Sequence, residues 1–301
     1  MKENYSYQQF VDYVRDNIYD CLPEEERGNK IHIRPFEKIG SSYLAMCMES
    51  KPFVGRAIVN LDDFYQLYKN QVPLEELMEQ MAGLLTKTFP NFNTAAVSKD
   101  YDVVRNQLFI RLSNRVWNKD LLEKVPYLER DGLAITCHLL FSKPDDENLM
   151  SCIVTNEIME RYGVTQKQLF SDAMENGQRL FPERIQKMEI NWVEQKKPLE
   201  YLVVTNKQGI NGAAALFYPG VLERLGEQLP GGFYLIPTSI HEFILEFEQR
   251  GLPLETMEES LKGTNQRVTY SKDQLSNEVY HYDPSRAYFE RAKTYQKRFM
   301  N

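Results

Sequence analysis

LAITCHLLF (133–141), SKPDDEN (142–148) and LMSCIVTN (149–156) together decide the class of this fold. Two short apolar runs flank a polar turn, which is the pattern of an antiparallel hairpin. Asn156 then stands where a helix N-cap is expected. Thr165, with Gln168 three residues on, makes a capping box ahead of Leu169, Ala173 and Met174. A hairpin that runs directly into helices requires an antiparallel sheet with helices set apart from it. The expected class is α+β, with small antiparallel sheets of hairpin-plus-helix units packed with segregated amphipathic helices.

Toward the C-terminus, YLVVTN (201–206) repeats the Val-Thr-Asn ending of the first hairpin. It predicts a strand, a turn at KQGING (207–212), a second strand at AAALFY (213–218) and a helix from Pro219 carrying Val221, Leu222 and Leu225. A strand at GFYLIP (232–237), a helix over 239–248 and a helix over 254–264 follow, the last with Leu254, Met257 and Leu261 on one face. The shared Val-Thr-Asn ending is a faint internal echo, for which chance similarity of two apolar strands is a better explanation than duplication.

Toward the N-terminus, Ser6 and Gln9 form a capping box, and Phe10, Val14, Ile18 and Cys21 then share a helical face until Pro23. IHIRPFEKI (31–39), SYLAMCMES (42–50) and VGRAIVN (54–60) read as a three-stranded antiparallel meander, with turns at Gly40-Ser41 and Lys51-Pro52. Asn60 caps one helix, with Asp63 at its third position, and Pro73 opens a stronger one carrying Leu74, Leu77, Met78, Met81, Leu84 and Leu85. An amphipathic helix is expected over about 99–115, with Tyr101, Val104, Leu108 and Leu112 as its stripe. The polar NRVWNKD segment (114–120) is the best boundary. It divides the chain into an N-terminal α+β lobe, 1–117, and a C-terminal lobe, 118–301, with two hairpin–helix units and a basic C-terminal helix.

At 301 residues the chain has the length of about two domains. Its net charge of −7 argues against whole-protein nucleic-acid binding, and its mean hydropathy of −0.51 against a membrane protein. MKENYSYQQF has no apolar core of a secretory signal, and no apolar run approaches the roughly 20 residues of a membrane span. Cys21, Cys47, Cys137 and Cys152 lack CxxC spacing and read as reduced, mostly buried thiols. These features predict a cytoplasmic protein with no membrane partner, cofactor or metal.

Several longer segments occur together: NKDLLEKVPYLERDGLAI (118–135), VTNEIMERYGVTQKQLFSDAMENGQRLFP (154–182), VVTNKQGINGAAALFYPGVLERLGEQL (203–229), GFYLIPTSIHEFIL (232–245) and LSNEVYHYD (275–283). With IVNLDDFYQLYKNQVPLEELMEQM (58–81), they resemble an uncharacterised bacterial domain-of-unknown-function family. That family is common in anaerobic Gram-positive bacteria and often carried on integrative mobile elements. The resemblance spans nearly the whole chain and implies no reaction, cofactor or partner. Members usually have Ser where this chain has Thr238, which keeps the hydroxyl.

The candidate ligand- or partner-binding residues are Asn206, Asn211, Tyr218, His241 and Glu242 around the two turns, and Tyr288, Arg291, Tyr295 and Arg298 in the tail. His241-Glu242 opens like a zinc-protease motif, but Leu245 occupies the place of the second histidine. Ser239 and Glu242 read instead as the cap and third residue of a helix. The 206–212 turn lacks the Lys-Ser that follows the last glycine of a phosphate loop, and reads as a hairpin turn with glycines at positive φ. Acid pairs at Asp62-Asp63, Asp100/Asp102 and Asp145-Asp146-Glu147 read as solvated. A nuclease-like set joining Pro144-Asp145 to Glu194-Gln195-Lys196 is too loosely spaced to count. His32 and His138 fall in apolar strands, and the Tyr280-His281-Tyr282 run has no assigned role. In the tail, Arg286, Arg291, Lys293, Lys297 and Arg298 face one acid, Glu290, while Tyr288, Ala292, Tyr295 and Phe299 form an aromatic stripe. The stripe suits a terminal helix packed on the core, or a nucleic-acid contact through this segment alone.

No catalytic residue is assigned. The sequence points to a non-enzymatic interaction or regulatory module with a protein partner, given 18 tyrosines and a basic tail. The alternative is a hydrolase or nucleotide-acting enzyme with its site where the 206–212 turn meets the start of the 239–248 helix.

Overall fold

The computed structural model describes residues 5–49, 55–89, 93–144, 149–190, 199–229 and 231–299. The Lys51-Pro52 turn, Asp145-Asp146-Glu147 and Glu194-Gln195-Lys196 lie outside them. The fold is α+β, and the chain divides into two compact units, Met1–Thr94 and Ala95–Asn301.

In the first unit, α1 (Tyr7–Asn17) begins at Ser6 with both halves of its capping box formed. Phe10, Val14 and Ile18 are fully buried, but Cys21 ends the following 3-10 turn exposed, so the stripe stops one turn short of it. Strands β1 (Ile31–Lys38) and β2 (Ser41–Met48) pair antiparallel across a two-residue turn, where Gly40 takes a φ of 77°. The third strand of the meander is broken: β3 (Gly55–Arg56) pairs with β5 (Thr88–Phe89), and only β4 (Val59–Asn60) joins β2. The Asn60 carboxamide accepts the Asp62 and Asp63 amides and starts α2 (Leu61–Lys69). Pro73 precedes α3 (Leu74–Thr86), whose Leu77, Met78, Met81 and Leu85 close the apolar cluster of this unit.

In the second unit the expected helix over 99–115 is cut short. Asp100 caps α4 (Tyr101–Val104), one 3-10 turn follows, and β6 (Leu108–Asn114) takes the rest. Leu108 and Leu112 are four apart, which suits one helical face, but Leu108, Ile110 and Leu112 also alternate, and the strand is buried on both sides. After α5 (Lys119–Leu122), β7 (Tyr127–Arg130), β8 (Leu133–Leu140) and β9 (Ser151–Ile153) complete a sheet in which β8 is central and pairs β6 along Leu108–Asn114. The hairpin read at 133–156 is β8–β9. The cap after it is Thr155 rather than Asn156, which becomes the first residue of α6 (Asn156–Tyr162). Thr165 caps α7 (Gln166–Leu180), burying Leu169, Phe170 and Ala173.

The larger sheet runs β10 (Glu183–Ile190), β11 (Leu199–Asn206), β13 (Glu242–Phe247), β12 (Phe233–Ser239), β14 (Tyr280–Asp283), β15 (Tyr288–Arg291), antiparallel throughout. Two elements differ from the sequence reading. The segment 212–217 is a 3-10 helix rather than a strand, leading to α8 (Val221–Gln228). The segment 242–247 is strand β13 rather than a helix. Ser239 faces Glu242 across the Ile240-His241 turn, so Ser-x-x-Glu marks the four positions of a tight turn, a spacing it shares with a capping box. Val204, Phe233, Leu235, Phe243 and Leu245 join one apolar cluster with β6, β8, α7 and α8. Tyr201, Val203, Tyr234, Ile236 and Ile244 face α9 (Leu254–Arg267) through Leu254, Met257 and Leu261. Finally α10 (Ala292–Phe299) follows β15. The two Val-Thr-Asn segments do different work: Thr155 caps a helix, whereas Asn206 ends a strand.

Candidate functional site

The turn after β11 and the β12–β13 turn are tied together. The Asn206 side chain clasps its own loop, donating to Ile210 O at 2.8 Å and accepting from Ile210 N–H at 3.3 Å. Thr205 Oγ1 donates to His241 O at 2.8 Å, and the Ala213 amide donates to Ile240 O. Asn211, in the left-handed region at φ 52°, donates its backbone N–H to His241 Nδ1 at 3.0 Å. A neutral His241 therefore carries its proton on Nε2, which stands 3.8 Å from Asp273 Oδ1. Burial lowers the His241 pKa, with Arg111 and Lys272 adding to the effect and Asp273 and Glu242 opposing it.

Arg111 of β6 completes the group, with Nη2 donating to Asn211 Oδ1 at 2.7 Å. Burial draws this guanidinium down to about 10, with Asp273 opposing from a distance. Beside it, Thr136 Oγ1 lies 3.1 Å from Nε2 of the buried His138, whose pKa burial and Arg111 both push well down. Sequence reasoning missed Arg111. Its signal was a single charge inside the apolar run Leu108–Ser113.

Of the sequence candidates, Asn206, Asn211 and Tyr218 line one crevice with Phe109, Phe181 and Ile210, and it has no room for a water molecule. His241 reaches it only through Asn211. Glu242 is not a helix residue reaching back to a cap. Its Oε1 accepts from the Thr238 hydroxyl, and Ser239 Oγ accepts the His241 amide. Of the turn glycines only Gly209 has a positive φ, 68°. Gly212 instead makes room for Thr205 and for the backbone of Asn206 and His241.

The tail candidates are engaged within the fold. Tyr288 belongs to β15 and is half exposed, so the helical stripe begins only at Ala292, which is fully buried. Arg291 pairs with Glu278 at 2.7 Å, Lys293 with Glu258 at 2.9 Å, and Arg298 with the buried Glu290. Tyr295 stacks on His281 with ring centroids 3.5 Å apart and donates to Glu248 Oε1 at 2.8 Å. Of the cysteines only Cys137 is buried, a departure from the expected mostly buried set. No group of three His, Cys, Asp or Glu side chains among the described residues is placed to hold a metal ion.

A second surface lies in the segment read as a boundary. The Asn114 carboxamide oxygen accepts the backbone N–H of both Val116 and Trp117, at 3.0 and 3.1 Å. Its Nδ2 donates to Leu275 O, and the Asn118 side chain donates to Asn114 O. This anchored turn leaves Val116 66% and Trp117 49% exposed. An open groove of about 350 Å³ adjoins it, lined by Arg115, Val116, Lys119, Leu122, Glu123 and Tyr127.

A family of unknown function, DUF5688, matches residues 7–284, almost the full length of the chain. The chain belongs to that family. No curated protein and no solved structure matches it. No helix among the described residues is long and apolar enough to cross a membrane.

Proposed function

We propose that this protein is a non-enzymatic protein-interaction module and that the Val116–Trp117 turn is its principal contact. The observation that carries this reading is the pair of adjacent apolar side chains held outward by Asn114 beside an open groove. An exposed Trp on a turn already hydrogen-bonded in place loses little entropy on binding, and Trp is among the residue types that dominate interface energies. The ion pairs of Arg291, Lys293 and Arg298 count against a nucleic-acid contact through the tail, since phosphates would have to displace them. The tight crevice lined by Asn206, Asn211 and Tyr218, to which Arg111 and His241 do not contribute, counts against a hydrolase or nucleotide-acting enzyme centred in it. A cytoplasmic setting goes with this reading, as the four cysteines are free.

The test is quantitative co-purification from the native host. Trp117→Ser is expected to weaken recovery of a specific partner by about 2 kcal/mol in affinity, roughly thirtyfold, with an unchanged melting temperature. Tyr270→Ser, at an aromatic that is still more exposed, is the control and is expected to keep the partner. Partners recovered equally with Trp117→Ser would overturn the reading.

A further inference from the structure

We propose that Arg111 binds an oxyanion, the carboxylate or phosphate group of a small ligand, where β6 meets the turn ending at Gly212 and the β12–β13 turn. This goes beyond the interaction reading and rests on a different observation. Arg111 Nη2 donates to a neutral acceptor, Asn211 Oδ1, while Nε is buried with no acceptor. Among the described residues no carboxylate lies within 4.0 Å of this guanidinium. The comparison within the chain is Arg56 of the first unit: its Nε is likewise buried without an acceptor, but its Nη2 holds Glu26 at 3.0 Å. A cation taken out of water needs a counter-charge on it, and the fold provides none for Arg111.

The surroundings suit an anion arriving from outside. Arg111 as a residue keeps a partial opening to solvent. His241 Nε2–H and the Asn211 side-chain amide are further donors nearby: the Asn211 backbone N–H on His241 Nδ1 orients the ring, and Arg111 Nη2 on Asn211 Oδ1 holds the carboxamide. Asp273 is the nearest acid, but its carboxylate stands toward His241 rather than on Arg111. It leaves the guanidinium fork, whose shape matches a carboxylate or phosphate edge, without an ionic partner.

The decisive variant is Asn211→Asp, which places a carboxylate on Arg111 at nearly unchanged shape. Asp tolerates the left-handed backbone found there. Wild-type protein is titrated with inorganic phosphate and, separately, with acetate, by calorimetry and thermal melting at constant ionic strength against chloride. Stabilisation by phosphate assigns a phosphate-type ligand, and stabilisation by acetate a carboxylate. Asn211→Asp is expected to melt higher than wild type without anion and to bind the effective anion at least roughly tenfold more weakly. Arg111→Met is expected to abolish the response, and Asn211→Asp keeps the test decisive if that variant does not fold. No effect of either anion beyond chloride, or binding undiminished in Asn211→Asp, would overturn the proposal.

Discussion

Gly212 shows how closely the two turns are fitted together. A methyl group there would lie 2.6 Å from both the Asn206 amide nitrogen and the His241 carbonyl oxygen, so the position requires the absence of a side chain rather than an unusual φ. Gly212→Ala is expected to cost stability at the upper end of about 1–3 kcal/mol, read from the urea midpoint. A variant as stable as wild type would contradict the joined turns. The histidines set the pH response. His138, His241 and His281 all have folded pKa values below the ordinary histidine value, burial being the largest cause for each. The fold thus prefers them neutral. Stability is complete above the unfolded value near 6.5 and falls as pH drops from there through the lower folded values. The melting temperature is expected to decline between about pH 7 and 5, and less steeply in His138→Gln, whose amide does not titrate in that range. A His138→Gln profile as steep as wild type would contradict the assignment.

At the scale of elements, the helix starts were legible because their chemistry is local. Ser6, Asn60 and Thr165 cap where the spacing predicted, since a side-chain oxygen two or three residues before an amide defines the geometry. The misread elements are those whose burial is set from outside. Leu108 and Leu112, and the run Glu242–Phe247, fit both helical and strand periods, and burial on two faces removes the polar alternation that would have decided. For α10 the packed alternative of the sequence reading is the one observed. Deleting 292–301 removes Arg298 from the buried Glu290 and uncovers His281, which Tyr295 stacks upon. Because Arg298 is itself 34% exposed, the loss is set at about 2 kcal/mol, a drop of roughly 4–8 °C in melting temperature, with increased binding of an apolar dye. An unchanged melting temperature would show that the helix does not brace the sheet.

Over the whole molecule, the class of fold was legible in one hairpin and its capping residues, whereas the candidate site was legible only in part. Asn211 and His241 stood out because turn residues carry their chemistry openly. Arg111 arrives from a strand about 100 residues earlier in the chain, a distance no local pattern spans. Polar residues at both ends make the Val116–Trp117 segment read as a boundary, whereas the Asn114 hydrogen bonds fix its backbone and leave both apolar side chains exposed. That exposed pair is the surface on which an interaction role depends. Its most direct measurement is photo-crosslinking in the native host, with a benzophenone amino acid replacing Trp117 in one strain and Tyr270 in another. A discrete crosslinked partner is expected from position 117 and not from position 270. No adduct from 117, or the same adducts from both positions, would contradict it.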